Sequence, residues 1–128
     1  MGAGGLLCAS LEVVKRGREH SNLNIGCEIN LDKVPTKYSM EACHILTSES
    51  QERMLIVCDP IDFQLIGQTF QKWDLEYAVI GTTNLSGNYT VKLGKEQLIS
   101  FRGQLIFISE SFHLKDLSCS LLHKSLAL

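Results

Sequence analysis

Ser48-Glu49-Ser50-Gln51-Glu52-Arg53, followed without a break by Met54-Leu55-Ile56-Val57-Cys58, is the stretch that decides how this chain folds. Six polar residues run together with no glycine or proline, and the apolar residues after them have the length of a strand buried on both faces. A polar turn feeding such a strand rides on rigid scaffold. Side chains held in this way present a fixed pattern of donors and acceptors, which is where binding groups concentrate.

Upstream of this stretch, Ser39 reads as the cap of a short helix through Met40, Ala42, Cys43, Ile45 and Leu46, which delivers the polar run. His44 lies beside Cys43 in that helix. Adjacent helical residues do not face each other, so the pair reads as packed or surface side chains rather than a catalytic dyad. Downstream, Asp59-Pro60 reads as N-cap and first helical position, with Asp62 adding negative charge to the first turn. Phe63, Ile66, Phe70 and Trp73 then recur at helical spacing as a core stripe. Tyr77 to Gly81 is the next strand, Ser86-Gly87 turns a hairpin into Tyr89–Leu93, and Gly94-Lys95 turns again into Leu98–Phe101.

Towards the N-terminus, Gly2, Gly4 and Gly5 precede a helix from Leu6 to Arg16 with Leu7, Leu11 and Val14 on one face and Gly17 as its stop. Lys15-Arg16-Gly17-Arg18 is the solvated end of that helix. Glycines leading into a helix N-terminus form a generic anion cradle, and they equally make a tight turn. Between Asn24 and Asp32 the alternation of Ile25, Cys27, Ile29 and Leu31 with polar residues marks a half-buried strand, placed near the sheet edge, and Asp32 to Pro35 turns the chain. Beyond Arg102, Leu105–Ile108 reads as a further strand and Leu114–Leu126 as a weak amphipathic helix in a tail rich in serine and leucine. Strands alternating with helices, plus a hairpin, predict an α/β (α+β) domain with a mixed sheet packed against helices.

A chain of 128 residues fits one domain and buries roughly two-thirds of its unfolded surface. With 12 basic and 14 acidic residues and a net charge of −2, it has no basic stripe, which argues against a nucleic-acid partner. Five cysteines at irregular spacing include no C-x-x-C, so neither a zinc ribbon nor a redox dithiol is indicated, and no metal ligand is assigned. Cys27 and Cys58 sit in apolar strand patterns and are expected to be small buried hydrophobes. A reducing cytosol, hence a cytoplasmic protein, is the expectation. No apolar run has the length of a membrane span, the start lacks a charged signal-peptide region, and Leu6 stands where a myristoylation motif needs Ser or Thr. Asn84-Leu85-Ser86 and Asn88-Tyr89-Thr90 match the glycosylation pattern, which in a cytosolic chain means turn chemistry only.

Four segments in order, Met1-Gly2-Ala3-Gly4-Gly5-Leu6, Leu31-Asp32-Lys33-Val34-Pro35, Ser48-Glu49-Ser50-Gln51-Glu52-Arg53-Met54-Leu55, and Lys72-Trp73-Asp74-Leu75 with Ala78-Val79-Ile80-Gly81, resemble phosphoribosylformylglycinamidine synthase. That family is an ATP-dependent C–N ligase of purine biosynthesis. The resemblance implies its first C-terminal-type domain, shared in fold with aminoimidazole ribonucleotide (AIR) synthetase, over residues 1–101, with the match running to about residue 93 and a divergent tail over 102–128. By resemblance, Glu49, Ser50 and Gln51 match the family's substrate-binding triplet for formylglycinamide ribonucleotide. Ser50 and Gln51 can donate to substrate oxygens, while Glu49 and the Gln51 carbonyl can accept from amide N–H or ribose hydroxyls. Arg53 is assigned to anchoring the loop.

The complete family enzyme uses ATP, magnesium and glutamine-derived ammonia, which the resemblance assigns to an upstream ATP-binding domain and a glutaminase subunit or domain. The family's aspartate magnesium ligand would immediately precede Met1, and nothing in this chain clamps a triphosphate. No catalytic residue is therefore assigned, and the isolated chain is expected to be inactive. An apolar face left by the missing domain is expected to favour self-association. A different class of reading is a catalytically inactive stand-alone binding module or a truncated pseudogene product.

Overall fold

The computed structural model describes residues 1–102, so the readings placed on Leu105–Ile108 and Leu114–Leu126 lie outside the described residues. The order of elements is helix α1 (Gly5–Ser21), strand β1 (Gly26–Asn30), a 3-10 turn (Leu31–Lys33), helix α2 (Ala42–Thr47), helix α3 (Phe63–Lys72), and strands β2 (Gly81–Asn84), β3 (Asn88–Leu93) and β4 (Glu96–Arg102). The expected mixed sheet packed on helices is present. Its strand order is β2-β1-β3-β4, with β1 antiparallel to β2, parallel to β3, and β3 antiparallel to β4.

One face of this sheet carries the core. Cys27 and Ile29 of β1, Tyr89 and Val91 of β3 and Ile99 of β4 point into it, as the period of two requires. Leu6, Leu7 and Val14 of α1 and Ile45 and Leu46 of α2 close it from the helix side. Tyr89 is fully buried and stacks on Phe101, its partner in the β3–β4 register, with ring centroids 5.1 Å apart. Its hydroxyl lies 2.9 Å from Ser10 Oγ, which also reaches the carbonyls of Leu6 and Leu7 at 2.6 and 3.0 Å. The buried hydroxyls are thus partnered. Burial pushes the Tyr89 phenol well above its ordinary range, against the opposing hydrogen bond from Ser10.

Several sequence expectations need correction. The helix expected to stop at Gly17 runs on to Ser21 and ends at Asn22, a left-handed residue with φ 56° whose N–H donates to the Arg18 carbonyl. Gly17 lies mid-helix because a Cβ there would sit 3.0 Å from Ile25 Cδ1. Arg18 is no solvated helix end: its guanidinium donates to the carbonyls of Ile25 and Gly87, tying α1 to the loops at one end of the sheet. β1 is an interior strand rather than an edge. The Asn84–Asn88 turn joins strands that do not pair with each other, since β1 lies between them. The strand expected from Tyr77 begins only at Gly81.

Both α2 and α3 start later than their expected caps. Glu41, not Ser39, is the N-cap of α2, and it makes no side-chain cap bond. Asp59 accepts from the Ile61 N–H in a local turn and α3 starts later, with Asp62 as its N-cap. The Gly94-Lys95 turn into β4 holds as expected.

The largest correction concerns Met54–Cys58. This run is not a strand of the sheet, and it is not buried on both faces. Met54 is 85% exposed and Ile56 51%, Cys58 is exposed, and only Leu55 packs partly against the core. β1 and β3 each already have two strand neighbours, so the interior of the sheet has no vacancy for it. The core stripe expected on α3 is likewise open. Trp73 is 67% exposed and Phe63 41%, while Phe63 and Phe70 pack against Tyr77 at 6.2 and 5.2 Å rather than into the main core.

Candidate functional site

The polar turn over Ser48–Arg53 is built at the N-terminal end of α1. Gly4 (φ 73°) and Gly5 (φ 57°) take left-handed backbone, which only glycine adopts cheaply. A Cβ on Gly5 would lie 2.3 Å from the Ser48 carbonyl oxygen, so the glycine turn exists to let the exit of α2 pass directly against the start of α1. The Gly4 N–H donates to Glu49 Oε1 at 3.0 Å. The Met1 backbone nitrogen donates to the Arg53 carbonyl. The turn is therefore held near both of its ends by the first residues of the chain.

Glu49, Ser50 and Gln51 come together on the surface, and all three are exposed. Glu49 is partly committed to the Gly4 amide, a favourable place for a carboxylate beside a helix N-terminus. Ser50 Oγ lies 2.8 Å from Ser48 Oγ, so it is oriented along the turn. Gln51 makes no hydrogen bond among the described residues and leaves its amide available. A cleft of about 390 Å³ opens beside the turn's far end, lined by Met54, Leu55 and Ile56 on one side and Ala9, Glu12, Val13 and Arg16 of α1 on the other, with Met1 at its end. None of the three candidate residues lines it. A second hollow of about 430 Å³ lies at the opposite end of α1, between Arg18, the Asn22–Asn24 loop and Arg102.

Two amides of the glycine turn are already engaged. Its Gly4 amide is taken by Glu49, the Gly5 N–H donates to the Gly2 carbonyl at 3.0 Å, and the Glu49 carboxylate would repel an anion there. Of the two readings the glycines allowed, the tight turn is the one observed.

Sequence reasoning placed Cys43 and His44 apart. The structure instead brings one donor atom each from Glu41, Cys43 and His44 within 4.8 Å, at the exposed start of α2, where the Cys43 thiol points to Glu41 Oε2 at 3.8 Å. The signal for this grouping is the position of Glu41, the N-cap, two residues before Cys43 and three before His44. Cys8 has its thiol pushed up by burial first, and then by the charges of Glu12 and Glu49. Cys27 is raised to about 11 by burial, with Arg18 opposing. Neither is a ready nucleophile.

The pattern of the AIR synthase related protein, C-terminal domain, matches residues 1–94. The phosphoribosylformylglycinamidine synthase subunit PurL of Rhodopseudomonas palustris is 41% identical over 97 residues, covering 75% of this chain and 12% of that protein. The subunit PurL of Pelagibacter ubique is 40% identical over 99 residues, covering 77% and 13%. Among solved structures, PurL of T. maritima complexed with FGAR superposes with a TM-score of 0.73 at 34% identity, covering 83% of this chain and 17% of that one. The same protein complexed with ATP gives 0.71 at 33%, covering 82% and 17%. The chain thus spans about one-eighth of the curated relatives it matches. The matched relatives agree on one enzyme, of which this chain resembles a domain-sized portion. A family pattern over most of its length, and a matching fold, make this chain a member of the AIR synthase related proteins, as their C-terminal domain.

Proposed function

We propose that this chain supplies part of the formylglycinamide ribonucleotide site of a phosphoribosylformylglycinamidine synthase, with Glu49, Ser50 and Gln51 as its contribution. The single observation that carries this reading is the exposed polar turn tied down near both ends, at Glu49 by the Gly4 amide and at Arg53 by the Met1 nitrogen. Pre-ordering lowers the entropy that binding would otherwise cost. A structural neighbour of the same family binds FGAR, and this turn is the part of the chain best equipped to meet a sugar-phosphate amide.

The roles divide by chemistry. Gln51, unengaged and exposed, offers both a donor pair and an acceptor to an amide group. The Ser50 hydroxyl donates to a substrate oxygen while its lone pairs keep the Ser48 contact. Glu49 has one carboxylate oxygen on Gly4 and the other left to accept from a ribose hydroxyl or an amide N–H. By resemblance to the family, ATP bound elsewhere in the complete enzyme would supply the activation of the substrate's amide oxygen that lets ammonia replace it. This chain's residues hold and orient the substrate for that exchange. ATP, magnesium, the glutaminase source of ammonia and a cytoplasmic setting belong to this proposal at the level of the whole enzyme.

The test is titration of the purified chain with formylglycinamide ribonucleotide by calorimetry, comparing wild type with Ser50→Ala and Gln51→Ala. Each substitution is expected to weaken binding roughly 2- to 10-fold, the worth of one hydrogen bond. Equal affinity in all three proteins, or binding by none of them, removes the assignment.

A further inference from the structure

The segment Met54–Cys58 is apolar and largely open, and among the described residues its backbone N–H and C=O groups hydrogen-bond to nothing. Natural proteins blunt an exposed strand edge with lysine, proline or a bulge. None of these devices falls within Met54-Leu55-Ile56-Val57-Cys58. The residues at its two ends carry opposite charges, Arg53 before it and Asp59 after it, and neither side chain forms an ion pair among the described residues.

We propose that this segment pairs with the same segment of a second copy of the chain, as an antiparallel two-stranded ribbon about a two-fold axis at Ile56. The sequence is self-complementary in that register. Antiparallel pairing centred on Ile56 sets Ile56 opposite its own counterpart, Met54 opposite Cys58, and Arg53 opposite Asp59 at both ends. Like charges never meet across the ribbon, and the charge pair occurs twice. Met54, Ile56 and Cys58 share one strand face by alternation and meet in one apolar row, while Leu55 keeps its contact with the core of its own copy. Symmetric homodimers use this kind of isologous contact, in which one patch is complementary to itself.

The ribbon alone is short of a standard interface. Ile61 and Leu65, 84% and 66% exposed just beyond Asp59, provide the apolar surface that an edge pair needs on its flanks. This inference is independent of the substrate assignment, since Ile56 and Asp59 lie outside the Glu49–Gln51 triplet.

Sedimentation velocity of the full chain over a range of concentrations, with circular dichroism to confirm folding, provides the test. Wild type is expected to show a concentration-dependent monomer–dimer equilibrium. Ile56→Lys, at a half-exposed position, is expected to keep the fold and raise the dissociation constant at least about 10-fold, because two ammonium groups would meet on the axis. Arg53→Asp or Asp59→Arg alone is expected to weaken the dimer several-fold, and the two together to restore it. A monomer at every concentration overturns the proposal. A dimer indifferent to Ile56→Lys, or a charge exchange that fails to restore pairing, does the same. Protection of the Met54–Cys58 amides from hydrogen exchange in a strict monomer would give the edge to another segment of the same chain, which also sinks the second-copy reading.

Discussion

The two helices α1 and α3 sit in one domain and were read from equally clear apolar periodicities, yet they meet different fates. α1 lies on the sheet, with Leu6, Leu7 and Val14 almost wholly buried. α3 and the segment before it place Met54, Ile61, Leu65 and Trp73 largely in solvent. The difference lies in what each segment finds to pack against. α1 is opposed by β1, β3 and α2, and is stitched down at both ends by Glu49 on Gly4 and by Arg18 on Ile25 and Gly87. α3 finds Tyr77 and little else among the described residues. An apolar stripe states a need for a partner and does not supply one.

The contrast is broken or upheld most directly by deleting apolar side chains in each region. Leu46 of α2, 2% exposed in the core, is expected to cost about 2–5 kcal/mol on replacement by alanine. Ile61→Ala, at an 84% exposed site, is expected to stay within about 0.5 kcal/mol. Urea denaturation of both variants at a fixed protein concentration reads the difference. Comparable costs would mean that the 54–80 region is packed in solution and the division is wrong.

A second comparison tests the link between core and candidate site. Gly5→Ala forces a left-handed backbone on a residue with a side chain, at roughly 1–2 kcal/mol, and drives its Cβ to 2.3 Å from the Ser48 carbonyl, so a further cost of about 1–3 kcal/mol follows. Because Ser48 must shift, the Glu49–Gln51 turn moves with it. Gly2→Ala meets nothing within 4 Å and is expected to be neutral. Equal stability of the two variants would show that the close approach of α1 and α2 is not maintained.

These contrasts explain what was legible in the sequence. The period of two over Cys27 and Ile29 and the helical spacing of Leu7 and Val14 report burial correctly, because both segments are flanked by others that complete the core. The same logic fails for Met54–Cys58 and for the Phe63–Trp73 stripe, where side-chain apolarity is real and the complementary surface is not among the described residues. Strand order is also beyond periodicity. A turn at Ser86-Gly87 reads as a hairpin, but β1 enters between its arms, and nothing local in Asn84–Asn88 encodes that insertion. At the site, wording located Glu49, Ser50 and Gln51 together, since they are consecutive. It did not reveal that Glu49 already holds the Gly4 amide, a contact 45 residues apart in sequence.

The smallest expected effect compares one cysteine from each region. Cys27 is buried in β1 and Cys58 is exposed at the end of the open segment, although both occupy apolar runs. In the Ile56→Lys protein, where self-pairing is disfavoured, iodoacetamide at neutral pH is expected to label Cys58 readily and Cys27 only on unfolding. Alkaline pH then provides the thermodynamic counterpart. Folding raises the Cys27 thiol from 9.0 to about 11, so the folded state holds its proton more tightly than the unfolded state does. The stability tied to that proton is fully present below pH 9 and is lost as pH rises towards 11, amounting to roughly 1–3 kcal/mol. Cys27→Ala removes the titrating group. Its stability, followed by urea denaturation from pH 8 upwards, is expected to fall less steeply than that of wild type, whereas Cys58→Ala is expected to track wild type throughout. Parallel curves for Cys27→Ala and wild type would place Cys27 in contact with water, and the core face of β1 would then be no better sealed than the segment it is being compared with.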